Sequence, residues 1–325
     1  MILTMLMSGI VKNILFSPAR KFCDFVKIVE VGPRDGLQNE KKILGHSIKI
    51  ELINRLSMTG LKTIETTSFV SPKWIPQMED NVKVLQGIDK KSGVDYPVLV
   101  PNLKGLDNAI KAGAKEIAVF GAASESFSQK NINCSIGESI KRFKEIIIKA
   151  REAKIKVRGY VSCIAGCPYE GDTKPSIIAN ISASMLELGC YEISLGDTIG
   201  VGTPKKIITV LNEMKNVSVS RKLQEFAIHC HNTYGQALAN IYASLDCGIR
   251  VFDSSIAGLG GCPYAAGASG NVATEDLLYL LHGESLTTGV DLKKIIDIGD
   301  WISKELNKEN QSKVGVALLA KNKQL

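Results

Sequence analysis

Between residues 26 and 283, short β-branched runs alternate with amphipathic stretches eight times, an order that few folds accept. The runs at 26–31, 63–69, 97–100, 116–120, 157–162, 191–195, 226–231 and 250–254 have the length and chemistry of strands. Apolar residues recur at three- and four-residue steps in 47–58, 136–153, 176–188, 204–214 and 237–246, which predicts helices. Gly60, Gly113, Gly189 and Gly248 each stand shortly before the next strand, where a left-handed helix cap belongs. Such a chain closes into an eight-stranded barrel or opens into a doubly wound sheet. No strand runs into a G-x-G-x-x-G helix start, which weakens the open dinucleotide-binding alternative. The expectation is a single α/β domain, a (β/α)8 TIM-type barrel over residues 26–283.

A C-terminal helical extension, residues 284–325, follows. Residues 292–306 carry helical apolar spacing and are expected to pack on the barrel, whereas the polar stretch from Lys308 reads as a solvated tail. At the other end, residues 1–25 form an extension. Its first 23 residues hold Lys12, Arg20 and Lys21 and no acid, the pattern of either a weak organelle-targeting segment or a plain extension. The corresponding compartments are the mitochondrial matrix for a transit peptide and the cytoplasm for a bacterial chain.

Composition removes several classes. With 45% hydrophobic and 22% charged residues, 325 residues can bury a large core. The net charge of +7 comes from lysines scattered among acids, with no basic stripe interleaved with aromatics, so nucleic acid is not the expected partner. A small polyanionic ligand would use the same surplus. No apolar run reaches the ~18 residues of a membrane span. The eight cysteines are spread singly, without a C-x-x-C pair, and read as reduced thiols.

His229 and His231 are half of the four histidines and lie one residue apart in a predicted strand. Alternation along a strand puts both imidazoles on one face, where they can share a metal ion. In a barrel the strand C-terminal ends build the site. The first strand runs into Arg34 and Asp35, the second carries Glu65, the sixth ends at Asp197, and the eighth opens into a glycine-rich loop, 258–271, holding Cys262 and Asn271. Asp35 with the two histidines gives two neutral nitrogens and a carboxylate, a set suited to a divalent ion with positions left for substrate. Asn271 either adds an amide oxygen or caps the helix near Thr274, and Asp35 is otherwise a turn residue. Arg34 is either an ion-pair partner of Asp35 or a stabiliser of a developing oxyanion. Glu65 and Asp197 interrupt buried strands and therefore need partners, which favours supporting or substrate-orienting roles. Cys262 differs from the other thiols in sitting among glycines, where backbone approaches a ligand closely.

These residues lie in long motifs: VGPRDGLQNE from Val31 to Glu40, SFVSPKW from Ser68 to Trp74, NINCS from Asn131 to Ser135, GCPYEG from Gly166 to Gly171, SLGDTIGVG from Ser194 to Gly202, and the 258–271 loop. Through them the chain resembles the 3-hydroxy-3-methylglutaryl-CoA lyase family over nearly its whole length from Val26. The resemblance implies metal-dependent cleavage of a CoA thioester to acetyl-CoA and acetoacetate. It also implies Mg2+ or Mn2+ held by Asp35, His229, His231 and Asn271, substrate contact and catalysis by Arg34, an active-site thiol at Cys262, functional roles for Glu65 and Asp197, and a homodimer. The group that first takes the hydroxyl proton stays open among Asp35, a ligand histidine and a metal-bound water. Asn232 stands where many relatives are expected to carry an acid. Condensing enzymes of the same barrel type share the metal set but carry Glu-Arg where Gly261-Cys262-Pro263 stands here, which favours the lyase. A non-haem iron oxygenase and a non-catalytic binder are the remaining alternatives; the second gives Cys262 and Arg34 no purpose.

Overall fold

The computed structural model describes residues 25–217, 223–261 and 270–322. Residues 1–24, on which the targeting expectation falls, and Cys262 lie outside the described residues. Among the described residues nine strand segments run parallel: β1 (Lys27–Glu30), β2 (Thr63–Ile64), β3 (Thr67–Ser68), β4 (Val98–Leu99), β5 (Glu116–Ala122), β6 (Lys156–Ser162), β7 (Ile193–Asp197), β8 (Phe226–Cys230) and β9 (Val251–Ser254). Their order, β2-β1-β9-β8-β7-β6-β5-β4-β3, begins and ends on neighbouring pieces of one extended segment. The Glu65 amide donates to Glu30 O at 2.9 Å, and the Thr66 amide to Pro97 O at 3.0 Å. Alternate amides of 63–69 thus go to opposite neighbours, as in any interior strand. β2 and β3 are one stave and the barrel is closed, as the strand–helix repetition predicts.

Helices α1 (His46–Ser57), α2 (Asn81–Gly87), α3 (Leu103–Lys111), α4 (Glu125–Ile132), α5 (Ile136–Glu152), α6 (Pro175–Leu188), α7 (Pro204–Val217), α8 (Ala237–Cys247) and α9 (Thr274–Gly283) cover the barrel. Their starts follow local chemistry: Asn102, Ser124 and Ser135 accept an amide two or three residues into α3, α4 and α5, and Pro175 occupies the first turn of α6. Gly189 and Gly248 are the left-handed C-caps of α6 and α8. The apolar faces of the helices and the outer faces of the strands form one continuous core that includes Ile28, Leu52, Ile146, Met185, Leu211, Ile241 and Leu278. None of the described helices is long and apolar enough to cross a membrane.

α10 (Leu292–Leu306) spans the predicted helix and buries Ile295, Ile298, Ile302 and Leu306. The solvated tail expected from Lys308 is corrected by a further helix, α11 (Lys313–Asn322). Its start is fixed by Asp276, which accepts the Ser312 hydroxyl at 2.7 Å and the Val314 amide at 2.9 Å. The apolar run VGVALLA at 314–320 is its local sequence signal, which the polar residues on either side obscure.

Candidate active site

The interior of the barrel is charged where such barrels are ordinarily filled by branched apolar side chains. Residues two apart on one strand share its inner face, and each pair brings polar groups inward: Arg158 with Tyr160, Glu192 with Ser194, His229 with His231. Arg158 donates to Glu192 at 2.7 Å and through two nitrogens to Asp253 at 2.7 and 3.1 Å. The β8–β9 register sets His229 beside Asp253, and the His229 Nδ1 lies 3.3 Å from Asp253 Oδ2. Ser194 donates to that same oxygen at 2.7 Å.

At the C-terminal mouth, Asp35 sits in a tight π-turn, Gly32–Gly36, whose Arg34, Asp35 and Gly36 amides all point at Val31 O. One ligand atom from each of Asp35, His229 and His231 falls within 4.8 Å of the others. His229 Nε2 is 3.8 Å from Asp35 Oδ2. Asp253 against Nδ1 favours a proton on that nitrogen and leaves Nε2 facing Asp35, an arrangement common behind metal-bound imidazoles; against the lowering effect of burial, the two carboxylates raise the His229 pKa. His231 Nδ1 is buried without a hydrogen-bond partner among the described residues. Burial and the nearby His229 pull the His231 pKa down to about 4, so its ring is neutral and able to ligate. Burial alone would raise the Asp35 carboxyl, but Arg34 and the two histidines hold it down at about 2. A buried orphan nitrogen, a second nitrogen with a fixed tautomer and an ionised carboxylate fit a divalent cation.

Asn271 is carried in by a short bridge to His231. It does not cap the next helix: Ala273 occupies the cap position of α9, and Asn271 Nδ2 donates to Asp35 Oδ2 at 2.8 Å and to Leu259 O at 3.2 Å. Arg34 is buried, gives Nε and Nη2 to Glu65 and Nη1 to Asp35, and lies 5.4 Å over the Tyr160 ring. A guanidinium has five N–H donors, so two are left beyond these three contacts. The remaining Glu65 oxygen, Oε1, is buried without a hydrogen-bond partner among the described residues. Asp197 is placed differently: its two oxygens accept the Val201 and Gly202 amides at 3.1 and 2.9 Å, and burial pushes its pKa up to about 6. That carboxylate folds the loop after β7.

Arg158, Glu192 and Asp253 escaped the sequence reading, although each is a charge inside an apolar strand, the signal that singled out Glu65 and Asp197. Tyr160 and Ser194 carry no such signal.

The HMGL-like family profile matches residues 25–302. The chain belongs to the HMGL-like family. It is 61% identical over 295 residues to the cytoplasmic 3-hydroxy-3-methylglutaryl-CoA lyase of Rattus norvegicus, covering 90% of this chain and 85% of that one. Identity to the mitochondrial hydroxymethylglutaryl-CoA lyase of Gallus gallus is 59%, with 90% and 97% covered, so relatives include forms of both compartments. The hydroxymethylglutaryl-CoA lyase structure from Pseudomonas aeruginosa superposes with a TM-score of 0.89 at 54% identity, covering 92% and 98%. An HMG-CoA lyase structure from Acinetobacter baumannii, in complex with coenzyme A and 3-methylmalate, gives 0.86 at 35% identity, covering 91% and 96%.

Proposed function

We propose that this chain cleaves 3-hydroxy-3-methylglutaryl-CoA to acetyl-CoA and acetoacetate. The observation that carries the reading is the triad of Asp35, His229 and His231 beside the Arg34 guanidinium at the mouth of the barrel. Cleavage takes the proton from the tertiary hydroxyl and breaks the adjacent carbon–carbon bond. One fragment leaves as the ketone of acetoacetate and the other as a thioester enolate, which becomes acetyl-CoA on gaining one proton at carbon. A divalent cation, Mg2+ or Mn2+, held by the triad and the Asn271 amide oxygen would supply Lewis acidity toward the hydroxyl and carboxylate oxygens.

The chain's own groups serve the other needs. Arg34 turns its two remaining N–H donors toward the thioester oxygen and offsets the charge that grows there. Glu65 fixes the plane of that guanidinium from behind, and Asp197 orders the loop after β7. Cys262 is the proton donor to the enolate carbon, a role a thiol with a reference pKa of about 8.5 can fill near neutral pH. Cys262→Ser that kept full turnover would remove it from this role. The assembly is a homodimer, for which sedimentation should give twice the chain mass.

The deciding assay is acetoacetate release from the CoA substrate. We expect release with added Mg2+ or Mn2+, its loss with chelator and its return when metal is restored. No acetoacetate from metal-loaded protein, together with free CoA from acetyl-CoA plus a 2-oxo acid, would instead mark a condensing synthase.

A further inference from the structure

The segment that crosses from α10 to α11 leans on the stem of the glycine-rich loop. The Gln311 amide donates to Ala257 O at 3.1 Å, and both Glu275 oxygens accept the Ala257 amide at 3.0 Å. Ala257 has φ 56°, a left-handed conformation that costs a non-glycine residue about 1 kcal/mol and persists only where its surroundings fix it. Here both of its backbone polar groups are held. Further along, Lys308 Nζ pairs with Glu40 Oε1 at 2.6 Å, and that oxygen also accepts the Gly260 amide at 3.4 Å. Asn39 Nδ2 donates to Gly261 O at 3.0 Å.

The inner side of this stem touches the metal triad. Leu259 O accepts Asn271 Nδ2, the nitrogen that also donates to Asp35 Oδ2. The packing leaves no slack: a Cβ at Gly260 would lie 2.8 Å from Asn271 Nδ2, and one at Gly36 would lie 2.9 Å from Leu259 Cβ. A shift of the stem therefore moves the Asn271 amide, and with it the Asp35 carboxylate.

We propose that residues 308–312 are a positioning element of the candidate metal centre, acting through the stem 257–261 on Asn271 and Asp35. The inference rests on the metal-dependent reading above and adds that the C-terminal segment tunes metal affinity from outside the barrel. Lys308 is a positioning residue; the ion pair it makes is with Glu40, and it touches none of the candidate ligands.

The test is Mn2+ affinity of metal-free protein, read by EPR, with thermal melts as the control for folding. Partners directly behind metal ligands are worth about 10–100-fold in affinity, and a group one step further out should be worth about three- to tenfold. Lys308→Ala and Glu40→Gln should each weaken Mn2+ binding by that amount at unchanged melting temperature, and Lys308→Arg should restore it. Lys304→Ala, which breaks an exposed pair with Asp300 one turn away on α10, should leave affinity untouched. Wild-type affinity in both Lys308→Ala and Glu40→Gln, or an equal loss in Lys304→Ala, would overturn the inference alone. A wild type that binds no Mn2+ would overturn it together with the reading on which it rests.

Discussion

At the N-terminal pole of the barrel, Glu192 receives Lys27 at one oxygen and Arg158 at the other. At the C-terminal pole, His231 Nδ1 and Glu65 Oε1 are also buried and have no hydrogen-bond partner among the described residues. Both poles take charge out of water, which is costly unless every group is paired. The N-terminal pole meets that condition with its own side chains. Among the described residues the C-terminal pole does not, and an unpaired hydrogen-bonding group in a buried cluster is one that a bound ion or water would satisfy. Arg158 joins the two poles: it grips Glu192 on one side and, through Asp253, fixes the tautomer of His229 on the other. Paired charge below thus serves as the foundation for unpaired donors above.

The comparison breaks first at Arg34. Arg34→Lys should lower kcat by about 10²–10³-fold, because an ammonium cannot hold Glu65 and Asp35 and still present donors to a forming enolate. KM should move only a few-fold; steady-state kinetics that showed the opposite split would make Arg34 a binding residue only.

Glu30 sharpens the contrast. This fully buried carboxyl meets only neutral donors, the Gly32 and Ile256 amides and the Thr274 hydroxyl, and burial raises its pKa to about 7. The folded state therefore binds a proton that the unfolded chain has released, and this contribution to stability falls as pH rises from about 4.5 to about 7. Its limit is about 3 kcal/mol, at 1.36 kcal/mol per pKa unit. Denaturant titrations across this window should show that decline in the wild type and a flatter profile in Glu30→Gln. Identical slopes would remove Glu30 from the account.

Asp253→Asn should weaken metal binding by about 10–100-fold, since it loosens the tautomer of His229. Glu192→Gln lies at the paired pole and should cost about 1–2 kcal/mol of stability, measured by denaturant melts, without altering metal affinity or kcat. Loss of metal affinity in Glu192→Gln equal to that in Asp253→Asn would erase the distinction between the poles.

Much of this architecture is legible in the sequence because it is repetitive. Strand–helix alternation and the glycine caps reveal the barrel, and one-residue spacing puts His229 and His231 on one inner face. What stays hidden depends on register. Nothing local to Asp253 says that it stands opposite His229, or that Arg158 reaches it across the barrel. The cap of α11 is hidden for a related reason, since Asp276 supplies it from a distant helix. Asn271 is ambiguous in sequence because a helix cap and a metal ligand use the same amide; the Ala273 cap of α9 removes the first of these roles.

Ligation of one cation by both His229 and His231 can be read directly by pulsed EPR of the Mn2+-loaded protein. The account predicts nitrogen couplings from two imidazoles in the wild type and from one in His231→Ala. A wild-type spectrum without imidazole coupling, or one unchanged in His231→Ala, would contradict it.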